Sequence, residues 1–290
     1  MKKLLSIILA ALLCFGGITT GALAIEEKEE RVVIGADLNE KQIAGIYKTF
    51  GLEQGRVKEL KVTNAEEREY FEDVLPDERL GRVALSCVYI RMLDEGEGLS
   101  ISTSNINWCT EEMYANALAT AGITDAEVVI TAPYPLSGTA ALTGIYKAYE
   151  DITGESLDPD SKDIAAEELI TTGELADMIG SEEATRIINE LKKILGNIKT
   201  MSDDEVRAEI IRIADMYNVR LTDSQVEQLL RLCRNLQNLN VDGIQERMLS
   251  WLRAAEDAER SSKTFAAVWK KVREFFQGII DFIGGLFGGN

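Results

Sequence analysis

Between residues 31 and 150, short apolar runs alternate with amphipathic stretches. Arg31–Gly35 and Val57–Thr63 read as strands, as do residues near 82–92 and 99–107. The last two are expected to form a hairpin, because Glu95-Gly96-Glu97-Gly98 supplies a turn between them. Glu127–Ala132 is a fifth apolar run. Helices fill the intervals. Asn39-Glu-Lys-Gln42 has capping-box spacing and opens a helix that Gly51 stops. Asn64-Ala-Glu-Glu67 repeats that spacing before a helix ending ahead of Pro76. Thr110 with two following acids caps a helix through Ala121. Pro133 and Pro135 call for an extended loop, since each restricts the residue before it, and a helix follows from about Ser137 to Tyr149.

Past Gly154 the strand pattern ends. Ser156–Asp163 is polar and acidic, and reads as a linker. Ala184, Ile187, Ile188, Leu191, Ile194, Leu195 and Ile198 then recur with a 3.6-residue period. Capping boxes at Ser202–Glu205 and Thr222–Gln225 introduce two more such stripes, and Val241, Ile244, Met248, Trp251 and Leu252 form another. Amphipathic helices joined by short turns must bury their stripes against one another. The expected fold is therefore α+β, with a mixed sheet and covering helices in the N-terminal half followed by an all-α helical half. The expected boundaries are a signal peptide over 1–24, an α/β domain over 25–153, a linker over 154–163, a helical bundle over 164–262 and an amphipathic apolar tail over 263–290.

The ends have their own patterns. Lys2 and Lys3 precede the apolar run Leu4–Phe15, and Ala22-Leu23-Ala24 fits a small-x-small cleavage site. That is a secretory signal, too short to span a membrane. Cys14 is a poor lipidation site, because Leu13 precedes it where a small residue is wanted. Cleavage after Ala24 takes the formal charge from −18 to −20, and the protein is expected outside the cytoplasm. At the other end, Trp269-Lys-Lys-Val-Arg273 leads into Phe275, Phe276, Ile279, Ile280, Phe282, Ile283, Leu286 and Phe287. This tail suits packing onto the bundle, self-association, an envelope or secreted protein partner, or peripheral membrane contact.

Composition narrows the chemistry. The 290-residue chain has no His, which removes Ser-His-Asp and Cys-His catalysis and His-ligated metals. Its acidic balance argues against a nucleic-acid partner. Cofactors and metals are not expected. Asp158-Pro-Asp160 with Asp163 resembles part of a calcium loop, but Lys162 and a missing Gly break that pattern, and a solvated linker is the simpler reading. Without the signal segment, Cys87, Cys109 and Cys233 remain. Cys87 and Cys109 lie on the two arms of the expected hairpin, where a disulfide would fit; the alternative is three buried thiols, with Cys233 in a helical stripe. Trp108 is either a core aromatic or a platform for a sugar.

One loop stands out. Where the strand ending at Ala132 gives way to a helix, Ser137, Gly138 and Thr139 offer two hydroxyls and free backbone N–H groups, an arrangement that can hold an anion. Asp37, after the first strand, would lie at the same edge of an open sheet, where ligands tend to bind. The structural alternative makes Ser137 or Thr139 a helix cap and Gly138 a packing position. No Gly-x-Ser-x-Gly, Ser-x-x-Lys or phosphate-loop motif is present.

Several stretches resemble a family of exported bacterial proteins, mostly Gram-positive, known as domain-of-unknown-function family 1002. They are Gly35-Ala-Asp-Leu38, Val62-Thr-Asn64 with Glu66-Glu67, Asn105-Ile106 before Thr110-Glu-Glu-Met-Tyr114, and Ala117-Leu118 with Thr120-Ala-Gly122. The longest is Thr131-Ala-Pro133 with Ser137-Gly-Thr-Ala-Ala-Leu-Thr-Gly-Ile145 and Lys147-Ala-Tyr-Glu150. The resemblance is close over roughly residues 30–150 and looser beyond. It implies secretion but no activity and no catalytic residues, and Cys87 and Cys109 lie outside its pattern. The expectation is thus an exported, non-catalytic protein acting through protein contacts. The alternative is a carboxylate- or Ser-based hydrolase, or a ligand-binding protein, acting on cell-wall glycan or peptide through the Ser137 loop.

Overall fold

The computed structural model describes residues 29–253. The expected signal peptide and the apolar tail lie outside the described residues. Five strands form one sheet: β1 (Glu30–Gly35), β2 (Lys58–Val62), β3 (Cys87–Met92), β4 (Leu99–Ile106) and β5 (Ala126–Leu136), in the order β2-β1-β3-β5-β4. β1 pairs parallel with β2, and β4 parallel with β5, while β3 runs antiparallel to both β1 and β5. The mixed sheet is as expected, but the hairpin is not formed, because β5 lies between β3 and β4. Burial explains the insertion. Cys87, Val88, Tyr89 and Ile90 are all buried, so β3 is covered on both faces and belongs inside the sheet. β4 carries Ser100, Ser102 and Ser104 exposed on one face, which suits an edge strand.

The expected loop at Pro133 and Pro135 is also corrected: β5 continues to Leu136. Its pairing with β3 ends at Thr131, and its register with β4 shifts between Ser104 and Ile106, where Asn105 is left-handed with φ 56°. The two prolines therefore fall where the ladder no longer needs their N–H groups.

α1 (Glu40–Phe50) starts on the Asn39/Gln42 capping box and ends on left-handed Gly51. It covers one face of the sheet, closing a core of Val32, Ile34, Ile46, Tyr47, Cys87 and Tyr89. The opposite face carries α2 (Asn64–Phe71), α4 (Glu111–Ala121) and α5 (Thr139–Thr153), with the short α3 (Asp77–Leu80) nearby. The cap of α2 is Thr63 with Glu66, one residue earlier than the sequence pattern suggested. That shift releases Asn64 and Glu67 for other contacts.

α6 (Pro159–Ile179) begins within the stretch read as linker, and the Asp158 carboxylate accepts from Ser161 N as its cap. The first half of α6 puts Ala165, Ala166, Leu169 and Ile170 into the sheet-side core, and Leu175 belongs to the second core. α7 (Ser181–Lys193), α8 (Leu195–Ile198), α9 (Asp203–Met216) and α10 (Asp223–Leu236) complete that second core with the helix over 241–253, here α11. The Ser202 and Thr222 capping boxes form as expected. No helix among the described residues is long and apolar enough to cross a membrane.

Cys87, Cys109 and Cys233 are buried free thiols, the alternative to the possible Cys87–Cys109 bridge. Cys87 packs on the α1 side of the sheet and Cys109 in the core of the other side. Burial pushes each thiol up to about 12.

Candidate functional site

The four parallel strands end at one edge of the sheet, and Asp37, Ser137, Gly138 and Thr139 all follow strand ends there. The structure gives each a structural partner. Gly138 caps α5 in a left-handed conformation, φ 99°, and a Cβ there would lie 2.4 Å from Tyr114 Oη and 2.7 Å from Ile106 Cγ2. Only glycine fits, for reasons of both φ and space. Tyr114 Oη donates to Gly138 O at 2.7 Å. Cys109 N donates to Ser137 O at 3.1 Å and Asn107 N to Leu136 O at 2.9 Å, so the segment after β4 is stitched along the loop.

Thr139 is buried, and its hydroxyl donates to Glu67 Oε1 at 2.6 Å. Ser137 Oγ lies 3.4 Å from Thr139 Oγ1. Glu67 is buried too, with Asn64 Nδ2 donating to its other oxygen at 3.0 Å. Burial raises the Glu67 carboxyl above its usual range, and the bonds from Thr139 and Asn64 pull it back in part. Tyr114 is held well above its ordinary value by burial and the adjacent Cys109. A carboxyl group from the protein thus already sits at the start of α5, where an external anion could have bound.

Asp37 is separate from this group. Its Oδ2 accepts from Ala84 N at 2.8 Å and its N donates to Ala84 O at 3.3 Å, which ties the β1–α1 turn to the segment before β3. Among the described residues no hydrogen bond joins Asp37 to Ser137 or Thr139. The structure therefore brings Ser137, Gly138 and Thr139 together with Glu67 and Tyr114, which sequence reasoning did not place there. The available signal was the Thr63-x-x-Glu66 spacing, which competes with Asn64-x-x-Glu67 and leaves Glu67 free to turn inward.

The other candidates also resolve. Trp108 donates from Nε1 to Asp177 Oδ1 at 3.0 Å, Arg79 stacks over its ring at 4.8 Å, and a Cβ at Gly173 would lie 2.4 Å from the ring. The ring thus packs partly buried against the sheet-side core, as a core aromatic would. Asp160 and Asp163 line a groove of about 430 Å³ with Glu69, Asp73 and Glu167. Burial, and then Asp160, raise the Asp163 carboxyl. Among the described residues no group of three or more Cys, Asp or Glu is placed to hold a metal ion.

A family model described as protein of unknown function (DUF1002) matches residues 34–248, which span both the sheet and most of the helical half. An uncharacterized protein of Bacillus subtilis (strain 168), YpuA, is 35% identical over 254 residues, covering 87% of this chain and 84% of that protein. No solved structure matches the chain.

Proposed function

Since the chain belongs to the DUF1002 family, whose description carries no activity, we propose that it is an exported, non-catalytic protein of the envelope or the secreted fraction that acts through protein contacts. One observation carries the reading. At the strand ends where Ser137, Gly138 and Thr139 could have held an anion or a nucleophile, the Thr139 hydroxyl is 2% exposed and bonded to a buried carboxyl, and Tyr114 closes over Gly138. A nucleophile must be open to its substrate and within reach of a base; the Thr139 hydroxyl has the Glu67 carboxyl but is closed to a substrate, and Ser137 Oγ meets Thr139 Oγ1 at 3.4 Å and has no carboxylate bonded to it among the described residues. The N-terminal basic, apolar and small-x-small pattern supports export. The tail supports the contact role, because Lys270, Lys271 and Arg273 beside eight large apolar residues would complement an acidic body or bury an apolar face on a partner.

The test is cross-linking of intact cells that express either the full chain or a chain ending at Arg260. The mature protein is expected to begin at Ile25, to be recovered outside the cytoplasm, and to carry a stoichiometric protein partner that the shortened chain loses. A cytoplasmic chain with its first residues intact would contradict export. Identical recovery without a partner from both chains would contradict the contact role.

A further inference from the structure

Apart from the strand ends that carry Ser137, the sheet has two lateral edges, and they are built differently. β2 closes one with five residues, of which Lys58, Glu59 and Lys61 are charged. Lys58 pairs with Asp151, Glu59 accepts from Tyr47 Oη, and Lys147 Nζ donates to Lys61 O at 2.7 Å. Charged side chains and a covered carbonyl keep another strand away from that edge. β4 closes the other with eight residues, Leu99-Ser-Ile-Ser-Thr-Ser-Asn-Ile106, none of them charged and none proline. A long edge without such guards is a template for a further strand.

The backbone of β4 is set for that strand. In a parallel ladder, alternate residues bond to one neighbour, and those between them point their N–H and C=O groups the other way. Ala126 N donates to Gly98 O at 3.2 Å, which puts Gly98, Ser100 and Ser102 in the row that faces β5. Leu99, Ile101 and Thr103 therefore face outward. Thr103 N agrees, because it donates at 2.8 Å to Glu111 Oε1, a side chain of α4, and not to β5. Among the described residues no strand pairs with β4 on that side, and the register shift at left-handed Asn105 ends the row. The side chains alternate as well. Leu99 and Ile101 pack on the core beside α4, while Ser100, Ser102 and Ser104 are exposed on the opposite face.

Acids flank this uncharged row at both ends. Glu95 and Glu97 precede it, Glu111 and Glu112 stand beside its far end, and all four are exposed. The cations that share grooves with them are engaged elsewhere. Arg247 shares its groove with Glu246 and Asp125 and donates to Ala119 O, and Arg186 is paired with Glu182. A second copy of the chain is a poor occupant, because pairing β4 with β4 brings acidic flanks together in either orientation, on chains with a formal charge of −18 or below. A strand with basic flanks meets opposite charge at both ends.

We propose that β4 accepts an extended segment of another protein as a sixth strand, a segment with an uncharged middle and basic residues at both ends. The outward N–H and C=O groups of Leu99, Ile101 and Thr103 supply the ladder, and the flanking acids supply the choice of partner. The added strand would carry apolar residues on the side of Leu99 and Ile101 and small polar ones on the side of the serines. The inference rests on the contact role proposed above, but it uses a surface of the folded body and not the tail.

The test is fluorescence anisotropy of labelled peptides titrated with the mature chain, and with the chain ending at Arg260, at physiological salt. The probes are a blocked peptide of alternating Val and Thr with two Lys at each end, the same peptide with Glu in place of Lys, and the Lys peptide with its central amides N-methylated. The last keeps the charge and loses the ladder donors. Both chains should bind the Lys peptide saturably, and more tightly than either other probe by about ten-fold or more. Ile101→Pro removes an outward N–H that β5 does not use, a change tolerated on edge strands, and should weaken the Lys peptide by about ten-fold. Should that variant not fold, Glu95→Lys combined with Glu112→Lys, both at exposed positions, should reverse the order of the Lys and Glu peptides. The proposal is overturned by no saturable binding to either chain, by equal binding of the N-methylated peptide, or by unchanged binding in folded Ile101→Pro. Binding to the shortened chain alone would make the tail the occupant, and a dimer lost in Ile101→Pro would make it a second copy; either would overturn the assignment to another protein. None of these results bears on the tail's contact role, which stands or falls on the partner that the shortened chain loses.

Discussion

Two polar clusters lie equally deep in this molecule and are built on opposite terms. At the sheet edge, Thr139 and Glu67 are each 2% exposed, and their polar atoms pair with each other and with Asn64. At the seam between α4 and α7, where Lys192 Nζ donates to Asn116 O and Thr120 Oγ1, Asn116 is 1% exposed and neither atom of its side-chain amide has a partner. Burial alone therefore does not mark a site. The discriminating property is whether the buried groups have satisfied one another. Those that have are joints of the fold, and those that have not carry an unmet hydrogen-bonding cost. The edge suggested by strand ends and helix starts proved to be a joint. The seam, which carries no motif, keeps the Asn116 amide and the Asn189 Oδ1 unpaired.

The largest effect should come from the saturated inner end of the seam. Lys192→Met would leave Glu168 buried with only its Thr120 bond and is expected to destabilise the chain by about 3–5 kcal/mol in urea unfolding. Burial lowers the Lys192 pKa, a shift that Glu168 opposes, so the ammonium depends on this partner. Adding Glu168→Leu should recover much of the loss. A double variant no more stable than Lys192→Met would show that the pair is not coupled.

Gly138→Ala comes next. It sets a Cβ against Tyr114 Oη at a position with φ 99°, and overpacking alone costs about 1–3 kcal/mol. Tyr114→Phe in the same background should relieve part of the clash. If Gly138→Ala unfolds at the parental urea midpoint, the edge is looser than described and could admit a ligand.

The smallest effect is electrostatic and lies away from both clusters. Asp151 is paired with Lys58 and Arg31, and bonds from Lys58 first and Arg31 second hold its carboxyl below the usual range. A depressed carboxyl contributes stability that is present above the unfolded-state pKa and is lost as pH falls through the folded-state value. Asp151→Asn should therefore cost up to about 1 kcal/mol near pH 7, the range for a solvent-screened pair. Its unfolding curve should converge on the parent's in acid below about pH 4. A constant difference from pH 7 to pH 2 would contradict the assignment.

What the sequence revealed follows from interaction range. The Asn39, Ser202 and Thr222 caps were legible because each is closed by a residue three positions on. The helical stripes from Ala184 onward were legible for the same reason. The β3–β5 pairing was not, because no turn joins those strands and the Gly96–Gly98 turn pointed to a hairpin instead. The candidate site was half legible. Local pattern placed Ser137, Gly138 and Thr139 at a strand-to-helix junction, but Glu67 reaches Thr139 from 72 positions away. The seam depends on residues of α4 facing those of α7, such as Lys192 on Asn116 across 76 positions, and nothing in a single sequence aligns those faces.

The contrast between the two clusters can be read from one pair of urea unfolding curves. Thr139→Val removes the hydroxyl that a buried Glu67 oxygen accepts from, and Asn189→Leu removes an amide oxygen that accepts from nothing. Deleting one partner of a buried bond costs about 1–3 kcal/mol, whereas deleting an unsatisfied group of similar size is neutral or stabilising. Thr139→Val should unfold at a lower midpoint than the parent, and Asn189→Leu at an equal or higher one. A loss of stability in Asn189→Leu as large as that in Thr139→Val would show that both clusters are saturated, and would remove the basis for treating them differently.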